Sequence, residues 1–132
     1  MAITYCFDTT FLIDLQKEGR KSIRGPAHSF LAMHTSDFFA WSVVALGEFA
    51  EGFRSINDPA LQAFLRFGEL YPIDADTALI YSQITRQLRG KGRLIGTNDL
   101  WIASTALRHQ NPLVTGNMTD FARIPGLQCV NY

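Results

Sequence analysis

The sequence has little of several things, and each scarcity narrows the reading. It holds two cysteines, Cys6 and Cys129, in 132 residues. Two cannot build a disulfide framework, and with no CxxC pair or Cys/His cluster there is no zinc signature. Each sits in an apolar stretch, Ile3-Thr4-Tyr5-Cys6-Phe7 and Leu127-Gln128-Cys129-Val130, that reads as a buried strand. No run approaches the roughly 18 apolar residues of a membrane span. The opening residues lack the basic and apolar regions of a secretory signal, so no membrane association and a cytoplasmic address are expected. An excess of one charge is missing too: twelve Lys+Arg balance twelve Asp+Glu. That removes the simplest argument for nucleic-acid binding, a strongly basic total, but leaves room for a local basic patch. Gly90-Lys91-Gly92 lacks the spacing of a phosphate-binding P-loop, and no nucleophile-elbow pattern occurs.

What is present is a core-forming composition. The hydrophobic fraction is 47%, the charged fraction 18%, and ten residues are Phe. Such a chain is not largely disordered, and its length suits a single domain over residues 1–132. Strand-like and helix-like stretches alternate. Ile3–Phe7, Phe38–Trp41, Leu70–Ile73, Leu113–Thr115 and Leu127–Val130 read as strands. Thr9–Gln16, Pro26–Thr35, Val43 to about Arg54, Pro59 to Phe67, Asp76–Leu88 and Asp99 to His109 read as helices. Ser42, Asp58 and Asn98 are their candidate caps, and Gly90 a stop signal. Strands separated by helices imply crossovers and a mostly parallel sheet of four or five strands covered on both faces. The expected fold class is α/β, a three-layer α/β/α sandwich. In open sheets of this kind ligands bind beyond the carboxyl ends of the strands.

Three carboxylates fall at that edge. Asp8 directly follows the first strand, Asp120 follows the fourth, and Asp99 opens the helix that feeds the fourth. Clustered carboxylates repel unless a cation or proton lies among them. A hard divalent ion uses a few oxygens and keeps several waters, which is chemistry for activating water against a phosphodiester. Each residue also has a plainer role: Asp8 as a helix cap, Asp99 as a first-turn acid, Asp120 in an Asx-turn. Glu48 lies opposite the Leu46/Phe49/Phe53 stripe and faces either solvent or a cleft. His28, His34 and His109 form no recognisable motif with an acid and read as structural. Arg86, Arg89, Lys91 and Arg93 cluster with no acid between Asp76 and Asp99, and Lys17, Arg20, Lys21 and Arg24 form a second basic group. Nine of the twelve basic residues are Arg, suited to bidentate phosphate contacts, although basic residues at a helix end also answer the dipole.

These residues fall into a known pattern. Phe7-Asp8-Thr9-Thr10-Phe11-Leu12-Ile13 resembles the first motif of PIN-domain nucleases, specifically the VapC-type toxins of toxin–antitoxin pairs. Val43-Val44-Ala45-Leu46-Gly47-Glu48-Phe49-Ala50-Glu51-Gly52 resembles the second, in which the acid four residues before the glycine is the functional one. Asn98-Asp99-Leu100-Trp101-Ile102-Ala103 resembles the third. Leu113-Val114-Thr115-Gly116-Asn117-Met118-Thr119-Asp120-Phe121 resembles the fourth. Four motifs in order cover nearly the whole chain. Thr10 departs from the usual asparagine or serine but keeps a hydroxyl, and 17–35 matches no motif.

The resemblance implies a Mg²⁺- or Mn²⁺-dependent endoribonuclease. Asp8, Glu48, Asp99 and Asp120 would be the catalytic, metal-holding quartet, with Thr10, Thr115 and Asn117 in support. Arg86, Arg89, Lys91 and Arg93 would hold the RNA. It also implies a homodimer or a higher toxin–antitoxin assembly, and inhibition by a VapB-type antitoxin. Three other readings compete. An aspartyl-nucleophile phosphatase usually needs a second Asp where Thr10 stands. A two-component receiver needs an acidic pair and a late lysine, and none follows Lys91. A non-catalytic PIN-like scaffold would have no use for the intact quartet.

Overall fold

The computed structural model describes all 132 residues. Five strands form one parallel sheet: β1 (Thr4–Phe7), β2 (Phe38–Ser42), β3 (Glu69–Tyr71), β4 (Leu113–Val114) and β5 (Cys129–Val130). Their order is β3-β2-β1-β4-β5, with Cys6 opposite Ala40 on one side and Leu113 on the other. The chain steps outward from β1 to β3, then crosses back to the other side of β1 for β4 and β5. The order therefore reverses between β1 and β4, and a crevice opens at the carboxyl ends of these two strands.

The helices are α1 (Thr9–Arg20), α2 (Pro26–Met33), α3 (Val43–Glu51), α4 (Pro59–Leu65), α5 (Ala75–Gly90), α6 (Thr97–Arg108) and the short α7 (Met118–Phe121). With the right-handed crossovers that parallel strands adopt, this strand order assigns α1–α4 to one face of the sheet and α5–α7 to the other. The expected α/β sandwich with a parallel sheet is what the chain forms.

Phenylalanines organise the core. Phe7 of β1 is fully buried and stacks on Phe11 at 4.1 Å, with Phe39 and Phe67 at 5.2 and 6.0 Å. Burying one such side chain contributes about 1.5–3 kcal/mol. Trp41 of β2 is also fully buried, and its indole N–H donates to the Phe67 carbonyl at 3.0 Å.

Several expected boundaries move, for local reasons. The first helix runs on to Arg20 rather than ending at Gln16, because the Glu18 side chain has a buried purpose. It accepts from the Ala27 and His28 amides at 3.0 and 2.9 Å and from His28 Nδ1 at 2.8 Å, capping α2, whose own N-cap Gly25 offers no side chain. A Cβ on Gly25 would fall 2.5 Å from the Glu18 carboxylate. That contact gives the unmatched 17–35 segment a structural role. Gly90 stays within α5, and Gly92, at φ +63°, makes the left-handed turn instead. The histidines prove less isolated than their sequence context suggests: His28 pairs with Glu18, His34 with Asp37 at 3.0 Å, and His109 stacks on Tyr71 at 3.6 Å. No helix is long and apolar enough to cross a membrane.

Candidate active site

Asp8 stands one residue past β1 as the N-cap of α1, and the residue is 2% exposed. The amide of Phe11 donates to Oδ1 at 2.9 Å, and the Thr10 hydroxyl lies 2.8 Å from both oxygens. Thr115, immediately beyond β4, donates its hydroxyl to Oδ2. Capping and site-building are therefore one arrangement. A carboxylate offers about four acceptor positions, and three donors leave one free to face the crevice. Burial raises the Asp8 pKa, against the lowering effect of the Thr115, Phe11 and Thr10 hydrogen bonds.

Glu48 faces this cleft, which decides between the two readings of its helical wheel. The Thr9 hydroxyl donates to its Oε1 at 2.6 Å and the Asn98 amide to its Oε2 at 3.1 Å. Asn98 thus differs from its expected capping role. Gly96 is the N-cap of α6, without a side-chain bond, and the Asn98 side chain reaches across to α3. Asp99, in the first turn of α6, joins Glu48, Gly96, Thr97 and Asn98 in lining a polar cavity of about 330 Å³ with no hydrophobic side chain.

Asp120 comes from α7, near enough for its charge to act on Asp99. Asn117 Nδ2 donates to its Oδ2 at 3.1 Å, and the Asn117 amide donates to Thr115 Oγ1 at 2.8 Å, so the supporting residues Thr115 and Asn117 tie Asp120 to Asp8. Arg123 lies 3.8 Å from Asp120 Oδ1 and donates to the Leu94 carbonyl at 3.2 Å. Thr9, Asn98 and Arg123 were absent from the expected site residues. Only Thr9, beside Asp8, carried a hint of its place in sequence.

The other three acids all bear on Asp99. Burial and then the charges of Glu48, Asp8 and Asp120 push the Asp99 pKa up to about 6. No three of these groups close into a ready-made ligand set for one ion. Mg²⁺ typically binds through one or two carboxylates plus waters and substrate phosphate, so an open, all-oxygen cluster short of positive charge suits it. Arg86, Arg89, Lys91 and Arg93 are exposed along the end of α5 and the loop leading to Asp99. A larger cavity lies elsewhere: an apolar groove of about 710 Å³ between α1, α2 and α4, lined by Leu15, Leu31, Phe53 and Phe64, with Arg20 and Arg54.

The PIN domain family profile matches residues 5–127. This chain is a PIN-domain protein. The similarity extends to individual relatives. Ribonuclease VapC1 of Haemophilus influenzae strain R2866 is 34% identical over 130 residues, covering 94% of each chain. Ribonuclease VapC2 of Rickettsia felis is 38% identical over 76 residues, which are 58% of this PIN-domain protein and 57% of that relative. Among solved structures, VapBC2 from Rickettsia felis, bound to a promoter DNA fragment, superposes with a TM-score of 0.83 at 28% identity, covering 98% and 99% of the chains. VapBC-1 from nontypeable Haemophilus influenzae gives a TM-score of 0.79 at 30% identity, covering 98% of each.

Proposed function

We propose that this PIN-domain protein is a divalent-metal-dependent endoribonuclease and the toxin of a toxin–antitoxin pair. The observation that carries the reading is the gathering of Glu48, Asp8 and Asp120 around the half-buried Asp99, whose carboxyl is pushed up to about 6 by burial first and then by their charges. Its relatives are named ribonucleases of the VapC type and its structural neighbours are VapBC complexes.

Asp8 and Asp99 would hold Mg²⁺ or Mn²⁺, with Glu48 and Asp120 completing the site. The bound ion supplies Lewis-acid polarisation of the scissile phosphate and activation of water. Thr10 and Thr115 fix the Asp8 carboxylate, and Thr9 and Asn98 fix Glu48, so that either acid meets its task pre-oriented. Glu48 or Asp120 accepts the hydrogen bond that orients the attacking water. Arg86, Arg89, Lys91 and Arg93 attract the RNA backbone by charge.

The partner of this reading is a VapB-type antitoxin. The apolar groove between α1, α2 and α4 has the form that takes the apolar face of an amphipathic segment, with Arg20 and Arg54 available to acidic side chains. The protein would act in the cytoplasm, as a homodimer or within a larger toxin–antitoxin assembly.

Expression in a growing bacterium should arrest growth, and co-expression of the antitoxin should relieve it. Purified, partner-free protein should degrade cellular RNA only with Mg²⁺ or Mn²⁺. RNA left intact with both ions, by a protein that also leaves growth unaffected, overturns the reading.

A further inference from the structure

Asp14 and Tyr132 belong to none of the four motifs, yet they meet beside the site. The Tyr132 hydroxyl donates to Asp14 Oδ2 at 2.6 Å, across 118 residues. The tyrosine ring packs edge-on against Phe11, with centroids 4.8 Å apart and planes at 82°. On its other side the ring lies against Gly116, where a Cβ would stand 3.5 Å from the hydroxyl oxygen.

These contacts have one thing in common. The three donors to Asp8 are the Phe11 amide, the Thr10 hydroxyl and the Thr115 hydroxyl. Tyr132 touches Phe11 and Gly116, the immediate neighbour of Thr115. It lies between the first turn of α1 and the 115–117 loop, and that loop also carries the Asn117 side-chain amide that holds Asp120. A single ring therefore spaces the two segments whose donors orient Asp8 and Asp120. Asp14 fixes the ring's angle by accepting its hydroxyl proton, and in return its charge, close to an already acidic cluster, is hydrogen-bonded.

We infer that the Asp14–Tyr132 hydrogen bond is a positioning pair, setting the orientation of the Asp8 carboxylate for metal binding by bracing Phe11 in the first turn of α1 and the Thr115–Asn117 loop. The inference rests on the metal-nuclease reading of the site. Neither residue acts on substrate, and partners of this kind typically change metal affinity or activity about 10–100-fold when removed.

The test uses the whole chain, with Mn²⁺ affinity by calorimetry, kcat and KM for RNA cleavage, and Tm. Tyr132→Phe keeps the ring and removes only the donor. It should weaken Mn²⁺ binding and lower kcat about tenfold, with KM within about twofold and a small change in Tm. Asp14→Ala should do the same, Asp14→Asn, which keeps an acceptor oxygen, should recover most of both, and the Tyr132→Phe/Asp14→Ala double variant should be no worse than either single one. Folded Tyr132→Phe and Asp14→Ala proteins with wild-type Mn²⁺ affinity and kcat overturn the pair. Should the wild type bind Mn²⁺ without cutting RNA, the nuclease reading fails, while the affinity comparison still decides the positioning role. A wild type that binds no Mn²⁺ overturns both, and is told apart from failure of the pair alone by the wild-type titration.

Discussion

Thr115 donates its hydroxyl to the Asp8 carboxylate across 107 residues of sequence, joining the ends of the two strands between which the sheet order reverses. That bond is where the fold becomes a site. It fixes the Asp8 carboxylate at the carboxyl ends of both strands.

Removing the Asp8 carboxylate separates its two roles. Asp8→Ala leaves the Phe11 amide and the Thr115 and Thr10 hydroxyls without their acceptor, which should cost about 1–3 kcal/mol in urea unfolding. Asp8→Asn keeps an acceptor oxygen for the cap and should cost less. Both should lower RNA cleavage about a hundredfold or more, the scale of losing one electrostatic element of a site. Wild-type cleavage by either would remove Asp8 from the catalytic assignment.

The Asp99 carboxyl makes stability depend on pH in a defined direction. Its folded value of about 6 lies above the ordinary 3.8, through burial and the charges of Glu48, Asp8 and Asp120. Between about pH 4 and 6 the folded protein keeps a proton that the unfolded chain has lost. The stability this group contributes is therefore complete below that window and lost as pH rises through about 6. In chelator, Asp99→Asn should melt higher than wild type at neutral pH, with the gap closing at about pH 4. An equal gap at both pH values would mean that burial and the neighbouring acids do not raise the Asp99 carboxyl.

How far the site was legible in sequence can be argued from its members. Asp8 and Asp120 were readable because each follows a short apolar strand, and parallel strands bring their carboxyl ends to one edge, whereas Thr115 came only with the family resemblance. Glu48 was not settled by its helical wheel, since a cleft and bulk solvent look alike from one helix. Asn98 shows the limit more sharply. Its type and place signal a cap, but a partner 50 residues away takes its side chain. Glu18 was invisible for a similar reason: a glutamate in the last turn of α1 looks like a surface acid until α2 folds back and offers it unpaired amides. Local chemistry gave the elements, and long-range pairing gave the exceptions.

Glu18 gives a prediction about stability alone. Glu18→Ala strips the acceptor from the Ala27 and His28 amides and should destabilise the protein by about 1–3 kcal/mol in urea unfolding. Gly25→Ala should also destabilise it, by driving a methyl group into the same carboxylate. A Glu18→Ala protein as stable as wild type would show that α2 needs no cap from α1.

The basic residues at the end of α5 should act on RNA binding and nothing else. Arg86, Arg89, Lys91 and Arg93 are exposed, and none takes part in an ion pair. Replacing each by Gln should raise KM and leave kcat and Tm in place. It should also reduce the slope of log affinity against log salt by roughly 0.7 for each single-strand phosphate that is no longer neutralised. A salt slope that stays constant through all four substitutions would place the RNA on another surface.

The most direct measurement is RNA cleavage by purified, partner-free protein in Mg²⁺, in Mn²⁺ and in chelator, beside the four isosteric variants Asp8→Asn, Glu48→Gln, Asp99→Asn and Asp120→Asn, each shown to be folded. Cutting that requires the ion and collapses in all four variants is the expected result. Cutting that persists in chelator, or that survives intact in folded Asp8→Asn and Asp99→Asn proteins, would contradict a metal-dependent site built on these carboxylates.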